Sequence, residues 1–302
     1  MSSSPNFLFV GTAKAGTTSL YHQINQHPEI SIPVKETFFY LSEIYRDNNL
    51  PYPKQRPHEE LILDEKQFKS LYADCESGMV GEVGTGYLYH HEEAIPLIKK
   101  FTNPDVRILI ILRHPTDRCY SSYKHFAKDL HETCSFEDSL LKEEERKAEN
   151  WDFMWFHKSM SMYAEQVEAY LNAFKHVKVL IYEEYAENSE KVTKELYEFL
   201  GVDPNFEAEK EKIYNTSGEP RFKTLQKMVT QENALKKALR PAFRFLFSKE
   251  LREKIRKGVK NSNLKKSPPL SPQMKKELDH YFSEDIAKLE ALIGRKIIAW
   301  ER

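Results

Sequence analysis

The stretch Phe7-Leu8-Phe9-Val10-Gly11-Thr12-Ala13-Lys14-Ala15-Gly16-Thr17-Thr18-Ser19-Leu20 leaves this chain little choice of fold. Four apolar residues make a short buried-strand run, two glycines bracket a loop, and a helical pattern follows. Strand, glycine loop and helix in that order open a crossover unit, which needs a parallel sheet to return to. Gly11 and Gly16 keep the spacing of the phosphate loop G-x-x-x-x-G-K-[ST]. Thr17, however, occupies the lysine position of that pattern, and Lys14 lies inside the loop. Backbone N–H groups and a helix N-terminus remain on offer to an anion. The cation is aimed at a different part of the ligand.

The rest of the chain agrees with that opening. Apolar runs predict further buried strands at Met79–Val83, Val106–Leu112 and Val177–Tyr182. Helical periodicity predicts helices at Thr17–Gln26, Asp64–Ala73, Glu92–Phe101, Thr116–Lys128 and Ser159–Phe174 between them. After Tyr182 the pattern is mostly helical: Ser189–Leu200, Phe222–Leu239, Lys249–Val259 and Gln273–Ile293. The expected class is α/β, a three-layer αβα fold of the P-loop type with a central parallel sheet and a helical C-terminal extension. The Ser/Pro-rich loop Asn261–Pro272 is the clearest break. It suggests a main domain over residues 1–260, with 261–302 packed on it as the extension.

In open parallel sheets ligands bind beyond the C-terminal strand ends. The residues there are Gly11–Thr18, then Gly84-Thr85-Gly86-Tyr87, then Arg113-His114-Pro115, then Glu183-Glu184-Tyr185. A nucleotide-triphosphate hydrolase ends a second strand in an aspartate that helps hold Mg²⁺. Here the corresponding residue is Arg113, which repels a metal ion and grips phosphate bidentately. Ser121 follows eight residues later in a helix whose first turn Pro115 sets. Arg113 and Ser121 form a second candidate phosphate site, independent of the loop.

Two phosphate sites without a metal aspartate suit a nucleoside with phosphates at both ends. In these residues the chain resembles the sulfotransferases that use 3′-phosphoadenosine 5′-phosphosulfate (PAPS) and release 3′,5′-bisphosphoadenosine (PAP). The family's lysine-in-loop motif, which binds the 5′-phosphosulfate, is similar to Gly11–Ser19, and its strand-Arg-(x)7-Ser motif, which binds the 3′-phosphate, is similar to Arg113 and Ser121. The likeness runs through Ile108–Tyr123, Tyr163–Leu171, Val179–Tyr185 and Phe199–Val202, over roughly residues 6 to 222. Ile32-Pro-Val-Lys35-Glu36-Thr-Phe38-Phe39-Tyr resembles the Lys-Glu-x-x-Phe-Phe motif of the heparan-sulfate-type branch, whose glutamate acts as general base. Elementary chemistry gives Glu36 the same part, because sulfuryl transfer needs a base beside the incoming hydroxyl. Apolar neighbours such as Phe38 and Phe39 raise the proton affinity of a carboxylate, and a lysine such as Lys35 lowers it.

The resemblance implies a donor site of Lys14, Ala15, Gly16, Thr17, Thr18, Ser19, Arg113, Ser121 and Arg221, the last from the loop Tyr214–Arg221. It implies catalysis by Lys14 and Glu36 without a metal. Gly81–Tyr87 resembles the family's Glu-Lys-[Ser/Thr]-Pro-x-Tyr segment, except that Gly84 stands where some members place a lysine and Gly86 replaces the proline. Lys35, Phe38, Tyr87, His90, His91 and Trp155 are candidates for the acceptor side, the two histidines also as a competing base. The acceptor is expected to be a hydroxyl-bearing small molecule, lipid, carbohydrate or carrier-bound intermediate, not a nucleic acid.

Composition adds limits. No run of eighteen apolar residues is present, and the Met-Ser-Ser-Ser-Pro-Asn start has no signal-peptide pattern. Cys75, Cys119 and Cys134 are odd in number and lack CxxC spacing, so free thiols and a cytoplasmic setting are expected. Lys236–Lys266 carries twelve Lys/Arg against Glu250 and Glu253, while the whole chain has a net charge of -1. That segment reads as a solvated helical face, an anion-binding face or a membrane-surface contact. Two other functions stay open: an ATP/Mg²⁺ kinase, with Glu82 or Glu183 as the strand-end carboxylate, and a non-catalytic nucleotide-binding or membrane module anchored by Phe243, Phe245 and Phe247.

Overall fold

A computed structural model describes residues 4–46, 61–75, 78–209, 219–222, 224, 226, 258, 262–265 and 267–302. The strands are β1 (Phe7–Gly11), β2 (Ile30–Ser31), β3 (Met79–Val83), β4 (Arg107–Leu112), β5 (His176–Ile181), β6 (Glu219–Pro220) and β7 (Leu264–Lys265). The helices up to the fourth strand are α1 (Thr17–Ile24), α2 (Ser42–Tyr45), α3 (Glu65–Ser70) and α4 (His91–Phe101). Beyond it come α5 (Pro115–Lys128), α6 (Phe136–Leu141), α7 (Glu143–Ala148) and α8 (Ala164–Ala173). The last are α9 (Tyr182–Glu187), α10 (Ser189–Leu200) and α11 (Pro272–Ile293).

β1 to β5 form one parallel sheet in the order β2-β3-β1-β4-β5, so the glycine-loop strand is central. Its alternate residues divide between two cores, as the period of a strand requires. Leu8, Val10, Ile108, Ile110 and Leu112 pack on one face with Ile98 of α4 and Val167 and Tyr170 of α8. Phe7, Phe9, Leu109, Ile111 and Leu180 pack on the other with Leu20 and Ile24 of α1 and Val192 and Leu196 of α10. The expected three-layer αβα architecture is therefore present. Among the described residues, no helix is long and apolar enough to cross a membrane.

Local chemistry explains most boundaries. Asp64, Asn188 and Ser271 cap α3, α10 and α11 by accepting from Gln67, Lys191 and Met274 N–H groups. Pro272 begins α11 without wasting a donor. The helix expected from Ser159 starts only at Ala164. Glu143 accepts the Lys158 and Ser159 N–H groups and the Ser159 hydroxyl, holding Ser159–Ser161 in a separate 3-10 turn. The stretch Asn261–Pro272 is not all loop, because β7 pairs antiparallel with β6 as a small ribbon against α5. Of the expected helices Phe222–Leu239 and Lys249–Val259, and of the basic segment with Phe243, Phe245 and Phe247, nearly all lies outside the described residues.

Candidate active site

The glycine loop leaves β1 at the C-terminal edge of the sheet and turns directly into α1. Thr12 N–H still reaches Ile111 carbonyl in β4 at 2.9 Å, anchoring the loop to its neighbour strand. Gly16 takes φ +86°, and a Cβ there would lie 2.6 Å from the Tyr182 ring. Only glycine satisfies both conditions. The first turn of α1 carries no acidic residue and no side-chain cap, so its N–H groups and dipole are available to an anion. Thr17 is buried, and Thr18 and Ser19 are half-buried at the same helix start. Ala15 contributes no side-chain chemistry, being fully buried in the core beneath the loop.

Lys14 is held at φ +72°, within a crowd of positive charge. Burial pushes its ammonium down to about 8, and Lys128, Arg113, Arg118 and Lys35 each add to the depression. A lysine paired in an ordinary ion pair shifts the opposite way. With four nearby cations each depressing Lys14, the field at the loop is positive, which suits a multiply charged anion. Arg113, at the end of β4, is part of it: Nη1 donates to the Lys14 carbonyl at 3.3 Å and the guanidinium lies 5.0 Å from the Tyr182 ring centre. Its Nε is buried without a hydrogen-bond partner. An orphaned guanidinium donor beside the loop fits an anionic group still to be bound.

The base candidate reaches this place from a different element. Lys35 pairs with Val83 across a parallel bridge, and Glu36 N–H donates to Val83 carbonyl at 2.7 Å. Glu36 and Phe38 both take left-handed backbone, φ +63° and +62°, with Thr37 between them. Thr37 Oγ1 donates to Glu82 Oε1 at 2.5 Å and accepts from Phe39 N–H at 3.2 Å. This double twist turns Glu36 outward while Phe38 goes into the core. Lys14, Glu36, Thr17, Thr18 and Thr85 line one cavity of about 240 Å³, together with His125 and Met154. Thr85 Oγ1 donates to Glu36 Oε1 at 3.4 Å. Lys35 Nζ donates to Thr18 Oγ1 at 2.9 Å and lies 3.5 Å from Glu36 Oε1, so it links the loop side of the cavity to the carboxylate.

Ser121 lies half-buried in the second turn of α5. Arg221 is exposed on the β6–β7 ribbon, its N–H donating to Asn263 carbonyl at 2.6 Å. Five of the acceptor-side candidates lie in the core or at a different cavity. Phe38 is 4% exposed and packs edge-on against Tyr45, because the backbone twist sends it inward. Tyr87 is fully buried and donates to Glu82 at 2.7 Å. Gly84, which stands where some members of the resembled family place a lysine, makes room for that ring: a Cβ would lie 2.0 Å from Tyr87. Trp155 is buried and stacks on Phe126 with ring centres 4.0 Å apart. His90 and His91 line a different, open cavity with Tyr89, Glu93 and Gln166, and His90 Nδ1 sits 3.6 Å from Glu93.

The carboxylates weighed for a metal are engaged elsewhere. Glu82 is fully buried and receives the hydroxyls of Thr37, Tyr72 and Tyr87, and its burial pushes the carboxyl up to about 7 against those bonds. Glu183 accepts from His114 N–H at 3.1 Å and from Trp300 Nε1 at 2.8 Å. Among the described residues no group of three or more His, Cys, Asp or Glu is arranged to hold a metal ion. Sequence reasoning did not single out Lys128, His125 or Thr85 as site residues. Thr85 stood in a strand-end segment that was inspected, whereas the other two come from the last turns of α5, which only the tertiary fold brings over the loop.

Comparison with known proteins agrees with this architecture. The sequence model of the sulfotransferase family matches residues 5–207. A sulfotransferase of known crystal structure from Alicyclobacillus acidocaldarius is 30% identical, with a TM-score of 0.71 and 99% of each chain covered. The membrane-associated sulfotransferase kil1 of Dictyostelium discoideum is 27% identical over 123 residues, which are 41% of this chain and 23% of that protein. The bifunctional heparan sulfate N-deacetylase/N-sulfotransferase 4 of Mus musculus is 34% identical over 123 residues, 40% of this chain and 13% of that one. The matches thus span under a quarter of either curated relative. With the loop lysine, the strand-end arginine and the fold in agreement, this chain belongs to the sulfotransferase family.

Proposed function

We propose that the chain transfers a sulfuryl group from PAPS to an acceptor hydroxyl or amine, with Glu36 as general base. The observation that carries this reading is a cavity lined by both Lys14 and Glu36, with Lys14 in the positive field of Lys35, Arg113, Arg118 and Lys128. The donor, when bound, supplies an activated sulfuryl group on its 5′-phosphate. Lys14, the loop N–H groups, Thr17 and Thr18 hold that phosphosulfate and neutralise the charge that grows on the departing phosphate oxygen. Arg113 and Ser121, with Arg221, hold the 3′-phosphate and fix the donor's register. As the acceptor oxygen bonds to sulfur, the sulfur–phosphate oxygen bond breaks, its electron pair leaves with PAP, and the acceptor proton passes to Glu36. Fixed cations meet the charge that Mg²⁺ meets in phosphoryl transfer. The acceptor is a carbohydrate or another molecule bearing a hydroxyl or amine, a carbohydrate being in keeping with the mouse relative named as a heparan sulfate N-sulfotransferase.

Labelled-sulfate transfer from PAPS to an acceptor panel, with calorimetry of PAP binding, tests this. Glu36→Gln is expected to lower turnover by about 100-fold or more while PAP binding survives. Lys14→Met is expected to lose turnover and to bind PAP more weakly, though still measurably. Turnover is expected to survive EDTA. Failure of the wild-type protein to bind PAP, or turnover abolished by EDTA, would overturn the proposal and favour a nucleotide kinase.

A further inference from the structure

The family match ends at residue 207, yet the last thirty residues grip the turn that carries Arg113. His114 N–H donates to Glu183 Oε1 at 3.1 Å, and the other oxygen of that carboxylate receives Trp300 Nε1–H at 2.8 Å. The Trp300 ring also meets His114 edge-on, with ring centres 5.8 Å apart. Thr116 Oγ1 donates to Asp279 Oδ1 of α11 at 2.6 Å. Arg302 pairs with Asp117. Arg113 itself is tied through its carbonyl, which accepts from Tyr163 OH at 2.9 Å, and Tyr163 N–H donates to Asp285 of α11 at 2.6 Å.

The Arg113 side chain, by contrast, has little to hold it. Its guanidinium donates one long hydrogen bond, 3.3 Å to the Lys14 carbonyl, and rests on Tyr182. With Nε unpartnered, the direction of the group depends on the backbone from which it springs. That backbone is clamped from His114 to Asp117 by Glu183, which Trp300 holds in turn, and by Asp279 and Arg302, and of these only Glu183 lies within the family match. A bidentate grip tolerates little misalignment, because both N–H groups must reach two oxygens of one phosphate.

We infer that Asp279, Trp300 and Arg302 are positioning residues for Arg113, and that they sharpen the preference of the site for a nucleotide bearing a 3′-phosphate. The inference rests on the assignment of Arg113 to the 3′-phosphate in the proposed function. It predicts a selective defect. Removing the clamp weakens recognition of the 3′-phosphate and leaves the 5′-phosphate loop untouched.

The test compares calorimetric binding of PAP with that of adenosine 5′-monophosphate, which lacks the 3′-phosphate, in the full chain. Wild type is expected to prefer PAP. In Trp300→Phe plus Arg302→Ala the ratio of the two affinities is expected to fall about tenfold, as two positioning bonds are lost. Binding of the monophosphate stays within about twofold. Trp300→Phe alone keeps an aromatic ring in place of the indole and deletes the donor to Glu183, and, its fold checked by circular dichroism, it is expected to show a smaller fall in the same ratio. Arg302→Lys in place of Arg302→Ala restores most of the preference. An unchanged ratio in folded variants, or equal losses for both nucleotides, would overturn the inference. A wild-type protein with no preference for PAP would instead refute the donor assignment on which it stands.

Discussion

The depressed ammonium of Lys14 makes PAP binding pH-dependent in a calculable way. Free in the site, Lys14 titrates at about 8 because it is buried and surrounded by Lys128, Arg113, Arg118 and Lys35. A bound anion supplies the missing counter-charge and returns it toward its ordinary 10.5. Binding therefore takes up a proton whenever free Lys14 is neutral. The free lysine is about nine-tenths charged at pH 7 and about one-tenth at pH 9, so the affinity falls about tenfold over that interval, or about 1.4 kcal/mol. Calorimetry in buffers of different ionisation enthalpy reads the proton count directly: about 0.1 at pH 7, 0.5 at pH 8 and 0.9 at pH 9. The second ionisation of a phosphate monoester lies near pH 6 and does not intrude. Lys128→Met removes the strongest neighbouring charge and is expected to move the midpoint upward. Equal PAP affinity at pH 7 and pH 9, or the same slope persisting in Lys14→Met, would refute the argument.

Other consequences reach the scaffold. Glu82 has a folded-state carboxyl raised to about 7 above an ordinary 4.5, so its contribution to stability is fully present below 4.5 and is lost as pH rises through 7. Between pH 4 and pH 8 the unfolding free energy of wild type should fall relative to Glu82→Gln by about 3 kcal/mol; denaturant melts of the pair running parallel would rule this out. Gly84→Ala places a methyl 2.0 Å from the Tyr87 ring and forces that ring off Glu82. A loss of about 2–4 kcal/mol is expected, and a thermal midpoint equal to wild type would show that the packing is looser than described.

Much of the frame was legible because buried parallel strands are continuous apolar runs, and Met79–Val83 was read to the residue. Two-residue strands such as β2 and β6 carry no periodicity and escaped. At the site, Lys14 and Arg113 could be read because a loop and a strand end fix where they emerge. The aromatic assignments fared worse for a physical reason. Phe38, Tyr87 and Trp155 stand beside site residues in sequence, but neighbours in sequence can face opposite ways, and a left-handed twist at residues 36 and 38 decided which side was core. The link from Lys35 Nζ to Thr18 depends on two segments meeting in space. No local pattern records such a meeting.

The left-handed backbone at Lys14 and Glu36 sets the comfort of the fold against its chemistry. A non-glycine residue in that conformation costs about 1 kcal/mol or more, and both candidate catalytic side chains sit there. Glycine at position 36 would relax the chain, so Glu36→Gly is expected to melt no lower than Glu36→Ala while neither transfers sulfate. A laboratory selection for thermal robustness alone would thus drift toward glycine at the two positions that carry the proposed catalytic groups. Descendants found with glycine at both would be sturdy binders of their own core and poor enzymes, a mark by which inactive relatives of this fold can be recognised.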